Sequence, residues 1–427
     1  MSVPAALPTL PSAPGKTPQR GVYVHIPFCL VHCPYCDFNA HAGLDGLKGP
    51  YVEALLREVR AAADGGPVDT VFFGGGTPTE LPPSDLGRIL RTIAGGFALS
   101  PGAEVSIEAN PESVDRACFD GLLEAGFTRV SLGVQSLSPH VLRWLGRTHS
   151  PQRALQALGQ ARAAGFEAVN ADLIFGTPGE SPADWRASLE GVLDTGVDHV
   201  STYALTVEER TPLARWVARG KVAAPDDDDQ ADRYELASEL LPAAGLVRYE
   251  VSNWVLPGAW SRHNVCYWTG ADYLGFGAGA HAHRAGRRSW NLAPPRLYVQ
   301  RSPHVEEGHE VLPHDRRAAE AAMVGLRLAG GLDRDRFARV WGCDPAERWT
   351  QELEEAARLG LVSLTDDRVR LTEQGFFLWG HVARSLLEGD AGADPDGPSP
   401  SVRERLRKKT VPRTENARSF AAARHGP

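Results

Sequence analysis

The sequence predicts an α/β fold: an open, partial (β/α)6 barrel followed by a small winged-helix-like α+β domain. Runs of β-branched and aromatic residues alternate with helical periodicity through the first half of the chain, which implies a parallel sheet with right-handed crossovers. The alternation supplies six strand–helix units, too few for a closed eight-stranded barrel. Polar and glycine-rich segments share one address. Each lies at or just beyond the carboxyl end of a predicted strand, the rim where parallel α/β folds place their chemistry.

The first strand is 22–26 (VYVHI), ended by Pro27. A helix over 50–63 follows, with Pro50 near its start, and strand 68–73 (VDTVFF) runs straight into Gly74-Gly75-Gly76-Thr77-Pro78. Helix 84–94 has Ser84 as its expected N-cap. Strand 104–108, helix 113–125 and strand 129–135 come next. Helical segments 139–145 and 151–164 lead to strand 167–174, and helix 182–194 leads to strand 199–205. Asp226 to Asp229 precede helix 230–241, whose amino end favours negative charge; by default such a run is a solvated face. A strand is expected over 247–253, then a loop-like stretch 257–283 dense in Gly, aromatics and His. From 314 to 386, three helical segments, a wing over 361–371 turning at Asp366-Asp367, and a last helix make the second domain. Its neighbours are not notably basic, so substrate or partner docking is a better expectation than DNA binding.

The chain thus divides into a flexible leader (1–20), the barrel (21–255), a linker (256–312), the C-terminal domain (313–387) and a tail (388–427). The Gly/Asp/Pro-rich start of the tail is expected to be disordered. Its basic stretch, 403–424, is solvated by default, with peripheral contact to an anionic membrane surface as the alternative.

At 427 residues, 42% hydrophobic and 23% charged, the composition is that of a soluble protein, and the net charge of −8 gives no reason to expect a nucleic-acid partner. No window approaches the roughly 18 apolar residues of a membrane helix. The Pro- and Ala-rich leader lacks the apolar core of a signal peptide, so the expected compartment is the cytoplasm.

Three of the six cysteines, Cys29, Cys33 and Cys36, fall within eight positions in CxxxCxxC spacing. Pro34 between them argues for an irregular loop. Such crowding in a cytosolic-type sequence points to metal rather than disulfides. A structural zinc would need His25 or His32 as fourth ligand. An iron–sulfur cube takes one ligand per iron, so three thiolates leave one iron open, and the amino and carboxylate groups of S-adenosylmethionine (SAM) suit that vacancy. Cys118, Cys266 and Cys343 are scattered, as small buried residues are.

The run YVHIPFC…CPYCDF, with Tyr35 before the third cysteine, resembles the radical SAM superfamily, and within it the subgroup holding HemW heme chaperones and HemN coproporphyrinogen III dehydrogenases. The resemblance covers 21 to about 386 in order. It implies a [4Fe–4S] cluster on Cys29, Cys33 and Cys36, with SAM bound by residues that match the family's positions. Gly75, Gly76 and Thr77 match the glycine turn that cradles the SAM amino group. Glu108 (in SIEANPE), Gln135 (in GVQS), Arg147 (in LGRTH) and Asp172 (in ADLIFGTPGE) match further pocket positions, Ala204 a position at the end of the last strand, and Tyr23 an aromatic beside the cluster. The residue types agree with this: a carboxylate suits an ammonium or ribose hydroxyls, and an arginine suits a carboxylate. By itself Arg147 would read as a surface residue near a helix end.

Two relatives are then to be separated. HemN enzymes carry a further cysteine two residues after the last of CxxC, where this chain has Phe38, and have a longer amino-terminal segment; they decarboxylate coproporphyrinogen III by radical chemistry. The HemW side is marked by Arg262-His263-Asn264-Val265-Cys266-Tyr267-Trp268, which matches its HNxxYW motif. That resemblance implies a chaperone that binds heme and passes it to acceptor proteins, membrane respiratory enzymes among them. His263 is the candidate heme residue, in a loop beside the cluster rim, with His281 or His283 as substitutes. Read without the resemblance, His263 and Trp268 simply organise a loop under the barrel mouth.

Overall fold

The computed structural model describes residues 19–389; nearly all of the expected leader, and the tail beyond Gly389, lie outside the described residues. Strands β1 (Arg20–Ile26), β2 (Pro67–Gly75), β3 (Ala98–Ala109), β4 (Arg129–Gln135), β5 (Ala168–Phe175) and β6 (His199–Ala204) are parallel and lie side by side in chain order. This is the expected six-unit partial barrel. One face of each strand is apolar and packs outward on helices. Val22, Val24 and Ile26 of β1 and Val71 and Phe73 of β2 are buried there. The helix Lys48–Ala62 contributes Tyr51, Val52, Leu55, Leu56 and Val59 to the same layer. Each such side chain stabilises the fold by about 1.5–3 kcal/mol when fully buried.

Caps fix where several helices begin. Ser150 accepts the Arg153 N–H, Ser181 and Asp184 form a capping box, and Asp226 accepts the N–H groups of Asp228 and Asp229. The acidic run is therefore a helix start. Ser84 is not a cap: the helix Pro83–Gly96 follows Pro82, and Pro83 sets its first turn.

Two expectations are corrected. Residues 247–253 are not one strand but parts of two, β7 (Val247–Glu250) and β8 (Asn253–Val255), which run antiparallel, with β8 also pairing β6. The Glu250 carboxylate makes the turn by accepting the Ser252 N–H at 2.8 Å and the Asn253 side-chain amide. The stretch 257–283 is not a loop either. It holds the helix Arg262–Trp268, then β9 (Asp272–Phe276), then the start of β10 (His281–Arg284). β9 pairs in parallel with β1, and β10, β11 (Arg287–Asn291) and β12 (Glu306–Val311) continue antiparallel beyond it. The sheet reaches twelve strands in the order β12-β11-β10-β9-β1-β2-β3-β4-β5-β6-β8-β7.

The C-terminal part has helices His314–Gly325, Arg334–Trp341, Pro345–Arg348 and Thr350–Arg358, then Glu373–Phe377 and Trp379–Gly389. Its wing is three-stranded, β13 (Leu332–Asp333) adding to β14 (Val362–Leu364) and β15 (Arg368–Leu371). It docks on the barrel through Arg327 with Glu250 at 2.9 Å and Arg248 with Glu373 at 2.7 Å. Among the described residues no helix is long and apolar enough to cross a membrane.

Candidate functional site

The cysteine loop leaves the carboxyl end of β1 and is tied down by backbone and amide hydrogen bonds. The Cys29 N–H donates to the His41 carbonyl at 3.0 Å, and Asn39 Nδ2 donates to the carbonyls of Ala278 and Ala293, each at 2.9 Å. His25 supports the loop from beneath. Burial lowers it to about 4, so it is neutral; Nε2 donates to the Asn39 carbonyl at 2.9 Å, which leaves Nδ1 to accept the Tyr23 hydroxyl at 3.0 Å. Tyr23 in turn stacks on Phe72.

Each of two thiols has a partner suited to a thiolate. Cys29 Sγ lies 3.4 Å from Thr77 Oγ1, and Arg147 Nη1 donates to Cys33 Sγ at 3.6 Å. Burial pushes Cys29 up and Cys36 up to about 11, so both stay protonated until a cation displaces the proton. Among the described residues no three His, Cys, Asp or Glu side chains gather as ligands of a single ion. Three thiols on one wrapped loop, with a hydroxyl and a guanidinium against two of the sulfurs, fit a polynuclear cluster that takes one thiolate per iron.

β2 enters the site through Gly75, at φ 113°, and Gly76, where a Cβ would lie 2.6 Å from the Phe28 carbonyl and 3.1 Å from Cys29 Sγ. Only glycine lets the chain pass so closely under the cysteine loop. Glu108, near the end of β3, accepts the Gly75 N–H at 3.2 Å. Asp172 on β5 accepts from Ser131 Oγ at 2.6 Å and Asn170 Nδ2 at 2.8 Å. Burial, and then the neighbouring Asp172, raise Glu108 to about 8; burial also raises Asp172. Two buried carboxyls supplied with neutral donors are a place where a cationic or hydroxyl-bearing ligand gains interactions.

Gln135 sits at a register shift at the end of β4 with φ 63°, a left-handed conformation that costs a non-glycine residue about 1–3 kcal/mol. The Arg147 side chain is only 7% exposed, which sets aside its surface reading. Nη2 donates to Asn110 Oδ1 and to the Gly133 carbonyl at 3.3 Å, while Nε is buried without a partner. Asn110 Nδ2 also donates to Thr77 Oγ1 at 2.7 Å. The side chains Cys29, Thr77, Asn110, Arg147 and Cys33 thus form a continuous chain from one thiol to another. Glu112 backs Arg147 from 3.7 Å; burial opposes its charge, but the hydrogen bond with His149 and the Arg147 charge hold it down at about 2. Tyr35 packs with Val141, Leu145, Ile174, Leu205 and Leu213 under the same rim. Ala204 closes β6 opposite Phe175. Sequence reasoning missed Asn110, Glu112 and Asn39. Asn110 alone had a signal, since it follows Glu108 by two residues and so shares its strand face.

His263 is elsewhere, and its expected place is corrected. The segment from His263 to Trp268 is helical and packs against the amino ends of the strands, opposite the cysteine rim. Gly21, Thr70 and Glu104 are its neighbours: Glu104 accepts the His263 N–H at 3.0 Å, and Thr70 Oγ1 lies 2.8 Å from Nδ1. Nε2 lies 2.8 Å from the Tyr267 hydroxyl, the ring stacks on Phe72 at 5.1 Å, and its exposure is 0%. Burial lowers it to about 3. Both nitrogens of a neutral ring are engaged, which leaves none for a heme iron. Trp268 lies under the Arg327 guanidinium at 4.3 Å, joining this helix to the C-terminal part.

An open parallel barrel with a three-cysteine loop and a glycine turn on one rim is the core of a radical SAM protein, and residues 23–191 match the Radical SAM superfamily model while 312–378 match the HemN C-terminal domain. Heme chaperone HemW of Mycobacterium tuberculosis is 45% identical over 393 residues, spanning 90% of this chain and 98% of that protein. HemW of Escherichia coli is 36% identical over 388 residues, spanning 87% and 98%. The chain belongs to the HemW family. The mitochondrial radical S-adenosyl methionine domain-containing protein 1 of Danio rerio is also similar, 39% identical over 395 residues and 88% of each chain. Among solved structures, Escherichia coli coproporphyrinogen III oxidase (HemN), a radical SAM enzyme, superposes with a TM-score of 0.76 over 86% of this chain and 90% of that one. At 23% identity this likeness concerns the fold alone. Membership of the radical SAM superfamily implies a [4Fe–4S] cluster and SAM.

Proposed function

We propose that this protein is a heme chaperone of the cytoplasm, which binds heme and hands it to acceptor proteins, with membrane respiratory enzymes as the acceptor class. The observation that carries the reading is similarity along almost the whole chain to proteins named heme chaperones, combined with Phe38 at the place where HemN relatives have an extra cysteine. Cys29, Cys33 and Cys36 would hold the cluster, whose open iron supplies a chelation point for the SAM amino and carboxylate groups. Arg147 Nε, buried and unpartnered, suits the SAM carboxylate, and the Glu108–Asp172 pair suits its ammonium or ribose hydroxyls. The barrel and the C-terminal domain (313–387) are proposed to act as one unit, with 256–312 building sheet and barrel floor rather than a linker.

The test is anaerobic reconstitution of the cluster followed by two parallel assays. Saturable hemin binding with transfer to an apo-acceptor, and no decarboxylation of coproporphyrinogen III, is the expected result. Decarboxylation without heme binding would replace this function with that of an oxygen-independent coproporphyrinogen III dehydrogenase.

A further inference from the structure

Heme needs a ligand to iron and an apolar surface for its macrocycle, and a chaperone needs both to be reachable by an acceptor. His263 offers neither access nor a free nitrogen. Two exposed histidines stand at the cysteine loop: His32 lies within it, between the cluster thiols Cys29 and Cys33, while His281 lies beside it and meets these demands. His281 opens β10 and is exposed. Its backbone passes directly over β9, because a Cβ on Gly275 would overlap the His281 carbonyl oxygen, and Gly275 is itself paired with Tyr23. His281 is therefore close to the base of the cysteine loop, and its charge is felt by His25 together with that of His41.

Three further features converge there. Trp290, its cross-strand partner on β11, has its ring centroid 6.0 Å from the imidazole at an interplanar angle of 30°. The indole is seated on Gly308 of β12, where a Cβ would lie 2.6 Å from the ring, so the indole is held in place from behind. Phe38, 65% exposed, precedes Asn39, whose amide is clamped to the carbonyls of Ala278 and Ala293 at the foot of β10 and just beyond β11. His283, by contrast, is tilted against Tyr273 and lies 4.0 Å from the Asp272 carboxylate, so it is the less available of the two.

We propose that heme docks on this outer seam between the cysteine loop and β10–β11, with His281 as the axial ligand of the iron and Phe38 against the edge of the macrocycle. This rests on the heme-chaperone reading. An imidazole lone pair lies in the ring plane, so a porphyrin bound to His281 stands perpendicular to that ring. Trp290, close to parallel with the imidazole, cannot stack on the same porphyrin; it is a positioning residue that sets the rotation of the imidazole about the iron–nitrogen bond. The opposite face of the iron stays open, which suits capture of the iron by an acceptor's ligand.

The experiment titrates hemin, and separately iron-free protoporphyrin IX, into the reconstituted full-length protein, its His281→Ala and Trp290→Phe variants, and His283→Ala as control. Difference absorption and magnetic circular dichroism report the ligand. His281→Ala should raise the hemin Kd about tenfold or more, about 1.4 kcal/mol or more, remove the imidazole-type spectrum and leave protoporphyrin IX binding nearly unchanged, with free imidazole restoring the spectrum. Trp290→Phe should keep the imidazole-type spectrum but change the anisotropy of the ferric EPR signal, which a merely structural role would not move. If wild type binds hemin and His281→Ala leaves spectrum and affinity unchanged, this site is wrong and the chaperone function stands. If wild type binds no hemin, the function itself fails. His281 is exposed, so equal melting temperatures will show that its variant is folded.

Discussion

Arg147 donates to the sulfur of Cys33, and the same guanidinium holds Asn110, which holds Thr77, which lies against the sulfur of Cys29. Two of the three loop thiols are therefore in contact with a single polar network built from the ends of β2, β3 and the segment after β4. A fixed positive charge beside a cluster ligand favours the more negative, reduced state. Arg147→Met should lower the reduction potential of the reconstituted cluster by tens of millivolts, where about 59 mV is a tenfold change for one electron. EPR-monitored redox titration checks this, and a potential that stays put or rises would remove Arg147 from the cluster's environment. Arg147→Lys should only partly rescue, since one ammonium nitrogen replaces the two guanidinium nitrogens, of which Nη1 reaches Cys33 and Nη2 reaches Asn110 and Gly133.

The Glu108 carboxyl gives a signed pH dependence. Its folded value of about 8 stands above the ordinary 4.5, so between those values the folded state keeps a proton that the unfolded chain has lost. Stability of the unligated protein contributed by this group is full below about 4.5 and falls as pH rises towards 8, by up to about 1.4 kcal/mol per pH unit. Urea midpoints at pH 6 and pH 8 should separate in wild type and separate less in Glu108→Gln, where Glu58 and Glu180, both raised by burial to about 7, keep their own pH dependence. SAM that engages the ionised carboxylate must expel this proton. Calorimetry at pH 7 in buffers of different ionisation enthalpy should then show proton release in wild type and less in Glu108→Gln, together with SAM affinity about tenfold lower.

Serine at Cys29, Cys33 or Cys36 should remove most iron and sulfide after anaerobic reconstitution, because in the proposed cluster each thiolate would hold a different iron. The controls are internal. Cys118 and Cys343 lie away from the loop, and Cys266 is buried 3.6 Å from Thr70 at the barrel floor, so serine there should leave iron content unchanged. Zinc as the native metal, or full iron loading of Cys33→Ser, would count against the cluster assignment.

How far the sequence could be read follows from where each determinant lies along the chain. VDTVFF and RVSLGV announce strands because an apolar face, Val71 and Phe73 in one and Val130, Leu132 and Val134 in the other, recurs at every second residue and is buried against helices. The rim was legible for the same reason: polar residues appear abruptly where such runs stop. VRYEVSNWV misled because β-branched and aromatic residues, Val247, Tyr249, Val251, Trp254 and Val255, recur through it, and the turn inside it is made by a single side chain, Glu250. β10 and β11, rich in His, Arg and Trp, have no apolar alternation, and their place is set by pairing outward from β1 through β9, some 250 residues apart in sequence. His263 is the clearest case. The residues that bury and saturate it, Thr70 and Glu104, stand 193 and 159 positions away, and no local pattern encodes them.

That burial makes the HNxxYW segment a structural joint, and the consequence can be measured. His263 fills the barrel floor, stacked on Phe72, with Tyr267 edge-on to it at 5.0 Å. Removing the ring leaves the Thr70 and Tyr267 hydroxyls without their partner, at about 1–3 kcal/mol for each buried group, besides a cavity. Trp268 carries the joint further, since the Arg327 guanidinium lies between its ring and that of Trp379 at 4.3 and 4.5 Å, while Arg327 also pairs with Glu250. Trp268→Ala should therefore destabilise by about 3–5 kcal/mol and loosen the C-terminal domain from the barrel. Limited proteolysis should cut this variant between the two regions, and urea unfolding should split into two transitions. His263→Ala should lower the urea midpoint while its iron content and SAM affinity stay near wild type, because the cluster loop is at the other end of the strands. If His263→Ala instead keeps full stability and loses heme selectively, the ring must leave the floor to reach the iron, and the joint described here would be only one of two states.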